Sequence, residues 1–429
     1  MMLTGDDAAF ADQLTMAWGG APRVFREVLR EPAFSPKQFL QALSRTAQAM
    51  VDGKREPVGR ASLDGRSPAI HELMGFFPAP NVTGFEQYVA QVGGLFPGAD
   101  FSVILDKVEI VLPELRQRLE PLLHRLFERV GYPVRGIHSC IYAGSYGTTP
   151  FGIHMDDCHV LMATGIGSKK VAFWPREYFE HREYMVMPGS QAHAGASLEA
   201  LLQDATLLEI GPHDLMYWPA GAWHVAINDS RDFRASLSIG VYHRGENAEI
   251  LRKQVALPPV QVANSNHRSL DALDLDGFAS HGNDAAIMTP RFEAMWDALR
   301  AEMDAKSAAA EAYATHALTM LSSAGFGPLP PTPAGDASEK HALADDAPLR
   351  LDDLRALRWH VLDDRVVAAA HGHVFVFRDA PTAVDDVLRR LTRGEPATVG
   401  ELRALVAPEH ADAMRAFLVN GRLSAAGSA

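Results

Sequence analysis

The stretch GIHMDDCHVLMATGIGSKKVAFWP, residues 152–175, and the stretch GPHDLMYWPAGAWHVAIN, residues 211–228, decide the fold of this chain. Both consist of short apolar runs, rich in β-branched and aromatic residues, that glycine or proline interrupts, which is typical of strands joined by tight turns. The same character extends from Val134 to His243 and includes the run SLSIGVYH at 236–243. Several strands at such short spacing predict a barrel or a sandwich.

Two histidines and an aspartate in these stretches have the pattern of a metal site. His154 and Asp156 are separated by one residue, so on a strand their side chains project from the same face. His224 follows a turn that contains Pro219 and Gly221, from which a second strand can bring its imidazole to the same ion. Two histidines and one carboxylate form a facial triad, which leaves open positions on iron(II), whereas structural zinc sites are closed. The spacing permits a metal but does not identify it.

Together with SLSIGVYH, the two stretches resemble the JmjC-type, cupin-like 2-oxoglutarate oxygenases over roughly 134–244. The resemblance implies an α+β protein whose core is a double-stranded β-helix, or jelly roll, with flanking helices. It also implies that iron(II) is the cofactor, that 2-oxoglutarate is the co-substrate, and that His154, Asp156 and His224 hold the metal. All three ligand positions of the family carry the expected residue types.

The same resemblance implies the residues that bind the co-substrate. The family places a basic residue on the strand after the HxD strand, and Lys169 occupies that position, with its neighbour Lys170 as the competitor. Adjacent strand residues face opposite sides, so only one of these lysines points inward, and the sequence does not show the register. Tyr142, Thr149 and Ser238 are candidate hydroxyl partners. No catalytic residue beyond the metal site is expected.

Other residues near the motif receive structural interpretations. Phe151 stands three positions before the first ligand, where many relatives have a small or hydroxyl residue. Asp157 and His159 face away from the metal by strand parity. Three tryptophans that flank the strands are predicted to pack in the core: Trp174, Trp218 and Trp223.

Composition and pattern divide the chain into five segments. Residues 1–130 are predicted to be a helical and β scaffold of the catalytic domain, and residues 131–250 its β-helix core. Residues 251–326 have helical patterns and are a candidate homodimerisation segment. Residues 327–347, within GPLPPTPAGDASEKHALADDAP, form a predicted linker. Residues 348–429 are predicted to be a winged-helix-like domain.

Hydrophobic periodicity predicts individual elements at both ends of the chain. The first segment contains predicted helices at Pro36–Val51 and Leu112–Val130 and a strand-like stretch at Phe101–Val111. In the last segment we expect a helix at Leu351–Arg358 and two strands within Val361–Phe377 around the turn HGH. Three further helices are predicted there: Ala383–Thr392, Val399–Val406 and Ala411–Val419.

The order of barrel, helical segment and winged helix is similar to that of bacterial ribosomal oxygenases, which hydroxylate ribosomal proteins. Residues 366–406 are also similar to winged-helix domains that capture leader peptides of ribosomally made natural products. The hypothesis is therefore an oxygenase that hydroxylates an amino-acid side chain in a ribosomal protein or a precursor peptide. The alternative is a cupin-fold metalloenzyme of another class, a 2-oxoglutarate-independent dioxygenase or isomerase acting on a small molecule.

Charge and composition restrict partners and compartment. The chain has 429 residues and a net charge of -13, and residues 348–429 hold 11 Lys and Arg against 11 Asp and Glu, so we do not expect nucleic-acid binding. The acidic balance suits a basic peptide substrate. The start MMLTGDDAAF lacks the positive charge of a signal peptide, and no uncharged apolar run approaches the length of about 18 that a membrane span needs. A cytoplasmic protein without a membrane segment is expected.

The chain has two cysteines, Cys140 and Cys158. Two cysteines cannot form a disulfide framework or a thiolate zinc cluster, and this small number suits a reducing compartment. Both are interpreted as small residues of strands.

Overall fold

A computed structural model describes residues 7–54, 56–133, 135–179, 198–228, 230–243, 306–329, 344–351, 353–362, 364–378 and 380–423. The chain divides into two compact units, one formed by residues 1–126 and 137–241 and the other by residues 127–136 and 242–429. The predicted α+β class is confirmed, because helices accompany three antiparallel sheets. Most of the predicted helical segment and linker, residues 251–347, lies outside the described residues.

The strands of the first unit, within its described residues, are β1 Arg23–Phe25, β2 Val58–Leu63, β3 Phe101–Asp106, β4 Ile137–Ser145, β5 His154–Met155, β6 His159–Ile166, β7 Lys169–Trp174, β8 Thr206–Ile210, β9 Leu215–Trp218, β10 Trp223–Ile227 and β11 Arg234–Val241. The helices up to β8 are α1 Asp7–Ala17, α2 Pro36–Val51, α3 Ile70–Gly75, α4 Phe85–Leu95, α5 Val108–Val111, α6 Pro113–Val130 and α7 Leu198–Leu202. A single 3-10 turn, Arg176–Tyr178, follows β7.

The predicted helix at Pro36–Val51 forms with these bounds, and local chemistry explains its start. The Ser35 hydroxyl accepts a hydrogen bond from the Gln38 amide, and the Gln38 side chain accepts one from the Ser35 amide, which is a capping box. Proline at the first helical position has a fixed φ that suits this turn. Residues at helical spacing, among them Phe39 and Leu43, are buried.

The strand-like stretch at Phe101–Val111 is shorter in the structure than the sequence predicts. The strand ends at Asp106, because Lys107 adopts a left-handed backbone with φ of 57° and α5 begins at Val108. The residues after Lys107 therefore belong to a buried helical turn. A short apolar run in a sequence fits a buried strand and a buried helix equally well, so the sequence pattern did not separate the two.

Two antiparallel sheets build the first unit. One has seven strands in the order β1-β9-β6-β11-β4-β3-β2, and the other has four in the order β5-β10-β7-β8. Between β4 and β11 the chain passes repeatedly from one sheet to the other, so sequential strands rarely pair with each other. This arrangement brings β5 beside β10, although a long segment separates them in sequence.

The second unit contains a three-stranded antiparallel sheet with helices. Its described elements are α8 Lys306–Ser322, β12 Leu357–Leu362, β13 Arg365–Ala370, β14 His373–Phe377, α9 Pro381–Thr392, α10 Val399–Arg403 and α11 Ala411–Asn420, with 3-10 turns at Leu354–Ala356 and Pro408–His410. The sheet order is β12-β13-β14. The two strands predicted around HGH are confirmed, and positive φ angles at His371 and Gly372 form their turn.

The helix predicted at Leu351–Arg358 is wrong for most of its length. A 3-10 turn covers Leu354–Ala356, and from Leu357 the chain is a strand that pairs with β13. Trp359 on this strand is 1% exposed, and its indole nitrogen donates a hydrogen bond of 2.7 Å to Asp385. Tertiary pairing therefore overrides the local helical pattern.

In the part of the chain that the structure describes, every helix is too short or too polar to cross a lipid bilayer.

Candidate functional site

Side chains alternate between two faces along β7 and β10, and one face packs in the core while the other lines a cavity. On β10, Trp223 and Val225 join a buried apolar cluster, while His224 and Ala226 point to the other side and line the cavity. On β7, Trp174 joins the same cluster and Lys169 lines the cavity. Side chains that change face at every residue are typical of the strands that the sequence pattern predicts here.

Strand pairing brings the three predicted metal ligands together. His154 on β5 lies directly opposite His224 on β10, and their ring centroids are 4.3 Å apart. Asp156 follows two residues after His154, and its carboxylate lies near the Nε2 atoms of both rings. Its Oδ1 lies 3.9 Å from His154 Nε2, and its Oδ2 lies 3.5 Å from His224 Nε2. The three side chains form one of two groups among the described residues whose ligand atoms lie within 4.8 Å of one another.

Backbone carbonyls orient both imidazoles in the same way. His154 Nδ1 lies 3.0 Å from the carbonyl oxygen of Gly152, and His224 Nδ1 lies 3.0 Å from that of Ala222. A ring that donates its Nδ1 proton to a carbonyl holds its Nε2 lone pair available for a metal ion. Both Nε2 atoms face the Asp156 carboxylate, so the three donors converge on one point.

Burial differs across the triad. The His224 side chain is 7% exposed and that of Asp156 is 36% exposed, so the group is closed on one side and accessible on the other. Burial lowers the pKa of His224 to about 4, and the neighbouring His154 adds to this effect. His224 is therefore neutral at neutral pH, which is the protonation state that binds metals.

Lys169 is a buried cation in the same cavity. It is 3% exposed, and its Nζ donates a hydrogen bond of 2.5 Å to the Tyr146 hydroxyl and lies 5.0 Å from the centre of that ring. No described carboxylate forms an ion pair with it. Because a buried charge without a counter-charge is unfavourable, this ammonium group is suited to an anionic ligand. Lys170 lies on the opposite face of β7 by strand parity.

All seven residues predicted for the metal and the co-substrate line this one cavity. Tyr142, Thr149 and Ser238 contribute hydroxyl groups to the wall. Burial raises the pKa of Tyr142 well above its ordinary value, so its hydroxyl keeps its proton and can donate it in a hydrogen bond. Phe151 packs edge-on against Tyr142 and is also part of the wall. The remaining lining residues are Met162, Val171, Trp218 and Ala226.

Two further residues, Tyr146 and Trp218, contribute to the site although the sequence pattern does not indicate them. Trp218 is 2% exposed, its ring lies 5.1 Å from that of His224, and its indole nitrogen has no hydrogen-bond partner among the described residues. The prediction that it only packs in the core is therefore incomplete. Trp174 and Trp223 do pack in the core, where each indole donates to a backbone carbonyl at 3.0 Å.

The neighbours of the motif lie outside the triad. His159 Nδ1 lies 2.9 Å from the Tyr217 hydroxyl, and its ring stacks on Trp18 with centroids 4.4 Å apart. Asp157 is exposed, and Cys158 is buried and forms no disulfide bond. None of the three belongs to a group of converging metal-ligand atoms in the described part of the chain.

Comparison with known proteins finds similarity in structure rather than in sequence. No family model matches the chain, and no curated protein matches it in sequence. A crystal structure of Escherichia coli YcfD aligns with 99% of this chain and 98% of its own, at 16% identity and a TM-score of 0.48. A second structure, of the E. coli ribosomal oxygenase YcfD in complex with cobalt and 2-oxoglutarate, covers the same shares of the two chains. Its identity is 16% and its TM-score is 0.45.

A smaller similarity is found to the DMSP lyase DddQ from Ruegeria pomeroyi. It covers 25% of this chain and 39% of the lyase, at 11% identity and a TM-score of 0.16. The similarity to YcfD thus spans the whole chain at low identity, whereas the similarity to DddQ is local.

Proposed function

We propose that this protein is an iron(II)- and 2-oxoglutarate-dependent oxygenase that hydroxylates an amino-acid side chain in a protein or peptide. The observation that carries the proposal is the convergence of two kinds of group in one cavity. A two-histidine, one-carboxylate triad faces the cavity, and a buried lysine without a described counter-charge lies in its wall. The first group suits a metal ion and the second suits the carboxylate of a co-substrate.

The donor set fits iron(II). Two imidazoles and a carboxylate on one side of an ion leave the opposite positions open, which is the arrangement of non-haem iron oxygenases. His154 and His224 would bind through Nε2, which their Nδ1 hydrogen bonds leave available, and Asp156 would bind through its carboxylate. When bound, iron(II) and 2-oxoglutarate together activate dioxygen and supply the oxidising power for hydroxylation.

The remaining cavity residues would bind and orient the co-substrate. Lys169 would form an ion pair with the carboxylate far from the metal, while the Tyr146 hydroxyl holds its ammonium group in place. Tyr142, Thr149 and Ser238 would contribute hydrogen bonds from hydroxyl groups in the wall. Because Lys169 is buried, water would be excluded from this ion pair, which would strengthen it.

We also assign strands β4 to β11 to a double-stranded β-helix. The support is their order, β9-β6-β11-β4 in one sheet and β5-β10-β7-β8 in the other. For residues 348–429 we propose a winged-helix-like domain, because a three-stranded antiparallel sheet packs with helices around a common apolar core. The boundaries at residues 130, 250, 326 and 347, and dimerisation through residues 251–326, remain proposals.

The proposed substrate is a basic polypeptide, either a ribosomal protein or a ribosomally made precursor peptide. The support is electrostatic, because the chain carries a net charge of -13. Incubation with iron(II), 2-oxoglutarate, oxygen and candidate polypeptides, followed by mass spectrometry, should show a mass increase of one oxygen atom. Hydroxylation of small molecules alone would contradict the polypeptide assignment but leave the oxygenase class intact.

The decisive test of the reaction class compares two neighbouring lysines. Oxygen-free, iron-loaded protein is titrated with 2-oxoglutarate, and binding is followed by calorimetry and by the visible charge-transfer band of chelated iron(II). Lys169→Ala should weaken binding by about 10- to 100-fold, since a buried charged hydrogen bond contributes roughly 1.5–3 kcal/mol. Lys170→Ala should bind within about twofold of wild type, because that side chain points to the other face.

Two results would contradict this proposal in different ways. If the wild-type protein does not bind 2-oxoglutarate, the protein belongs to another class of cupin-fold metalloenzyme. If it binds 2-oxoglutarate and the two lysine variants have equal affinity, the co-substrate is held elsewhere in the cavity.

A further inference from the structure

A second group of potential metal ligands lies in the seven-stranded sheet of the first unit. Asp106 is the last residue of β3 and is paired in register with Cys140 on β4. His138 precedes Cys140 by two residues on β4, so both side chains project from the same face. The group therefore combines a carboxylate, an imidazole and a thiol on two adjacent strands.

The distances within this group are close to the edges of a tetrahedral metal site. Zinc binds sulfur at about 2.3 Å and nitrogen or oxygen at about 2.0–2.2 Å, so two ligands of a tetrahedral ion lie roughly 3.3–3.6 Å apart. Cys140 Sγ lies 3.2 Å from Asp106 Oδ1 and 3.6 Å from His138 Nε2. His138 Nε2 lies 3.6 Å from Asp106 Oδ1. The two distances that involve His138 lie within this range, and the distance between Cys140 and Asp106 is slightly shorter.

The surroundings hold the carboxylate in place. Arg60 on β2 donates two hydrogen bonds to Asp106, from Nε to Oδ2 at 2.8 Å and from a terminal nitrogen to Oδ1 at 3.0 Å. Oδ1 thus faces the guanidinium, the thiol and the imidazole together. Asp106 could keep Arg60 as an outer partner while Oδ1 binds a metal ion, as ligating carboxylates commonly do.

The protonation states are compatible with metal binding that releases one proton. Burial lowers the pKa of His138, so its imidazole is neutral at neutral pH. Burial and the nearby Asp106 raise the pKa of the Cys140 thiol, which therefore holds its proton in the absence of a cation. A divalent ion would form a metal–sulfur bond as the S–H bond breaks, and the proton would pass to solvent past His138, whose side chain is 34% exposed.

We propose that Asp106, His138 and Cys140 form a second divalent metal site that binds zinc, separate from the triad in the cavity. A thiolate donor favours zinc over iron(II), and the partial exposure of His138 leaves room for water as a fourth ligand. Tyr142 lies two residues after Cys140 on the same face of β4 and lines the cavity. The proposed ion would therefore lie about 7 Å along the strand from a wall residue of the candidate active site.

Cobalt(II) chloride is the probe for this proposal, because thiolate-to-cobalt charge transfer absorbs strongly in the near ultraviolet. The full chain is stripped with a chelator and titrated without oxygen. We expect two equivalents to bind, one of them with the thiolate band. Cys140→Ser should lose that band and one equivalent, whereas Cys158→Ser should keep both. Zinc should displace cobalt from the thiolate site.

Two further variants separate this proposal from the proposed function. Asp156→Ala should remove the other equivalent and keep the thiolate band, even if the cavity is not an oxygenase site. If Cys140→Ser fails to fold, His138→Ala, which changes a partly exposed side chain, should weaken cobalt binding at the thiolate site at least tenfold. Absence of the band in wild type, or a band unaffected by either variant, would overturn the proposal.

Discussion

The two three-donor groups of the first unit differ in what surrounds their carboxylates. The Asp156 carboxylate faces the two imidazoles that would share its ion, and it is 36% exposed. Asp106 is held by the Arg60 guanidinium and lies beside a thiol. The difference teaches that convergence of donors is not sufficient to define chemistry. The first group opens into a cavity with a buried cation, whereas the second is built from softer donors and a fixed carboxylate.

The largest expected effect comes from removing the carboxylate of the triad. Asp156→Ala should abolish iron(II) binding and reduce succinate formation from 2-oxoglutarate by more than the roughly 10- to 100-fold that loss of an outer-shell partner causes. The matched control is Asp157→Ala, which changes the adjacent exposed aspartate and should retain wild-type turnover. Equal loss in both variants would mean that the triad is not the metal site. Succinate and bound iron are measured for each variant.

A second effect concerns acid stability of the metal-free protein. The His224 pKa is lowered to about 4 from the ordinary 6.5, so below pH 6.5 the unfolded state binds more protons than the folded state. The free energy of unfolding should therefore fall as the pH decreases from 6.5 towards 4, by up to about 3 kcal/mol from this residue. Chemical denaturation at several pH values measures it.

The matched variants for that prediction come from the two groups. His224→Gln should reduce the pH dependence over this range, because the titrating group is gone. His138→Gln should reduce it less, since His138 is partly exposed and faces Asp106, which favours its charged form. If His224→Gln and wild type have the same slope, burial of His224 does not control its protonation.

The smallest effect distinguishes a tryptophan of the cavity from one of the core. Trp218→Phe removes an indole N–H that lacks a described hydrogen-bond partner. No hydrogen bond within the protein is lost, so the free energy of unfolding should decrease less than it does when a bonded indole is replaced. The same variant should weaken 2-oxoglutarate binding by roughly 2- to 10-fold, because Trp218 lines the cavity in which we propose that the co-substrate binds. Trp174→Phe should show the opposite result, with about 1 kcal/mol lower stability and unchanged affinity, because its indole is already bonded.

Thermal or chemical unfolding and 2-oxoglutarate titration together measure both quantities for each variant. A loss of stability in Trp218→Phe as large as that in Trp174→Phe would contradict the expectation that the Trp218 N–H contributes to ligand binding rather than to stability.

The sequence predicted the elements of the site that depend on local parity. The spacing of His154 and Asp156 is enough to place them on one face, and the turn before His224 marks a returning strand. The choice between Lys169 and Lys170 required the register of β7 against β10, which depends on a turn whose geometry the sequence does not reveal. The cavity position of Trp218 likewise required the register of β9.

Long-range pairing limited the prediction elsewhere. Asp106 and Cys140 are neighbours only because β3 pairs with β4, so the number of cysteines alone does not indicate a mixed site of one thiol, one imidazole and one carboxylate. The strand at Leu357 was missed because its pairing with β13 overrides a local helical pattern. In both places the deciding interaction lies between strands, and residue periodicity carries no information about the partner.

The short pairing of β5 with β10 has a consequence for folding. β5 contains only His154 and Met155, and its partner on β10 lies far along the chain. An ion bound to residues of both strands would act as a cross-link that closes a long loop, and it would bind the folded chain in preference to the unfolded one. The availability of the metal would then determine how stably β5 pairs with β10 at the edge of the four-stranded sheet.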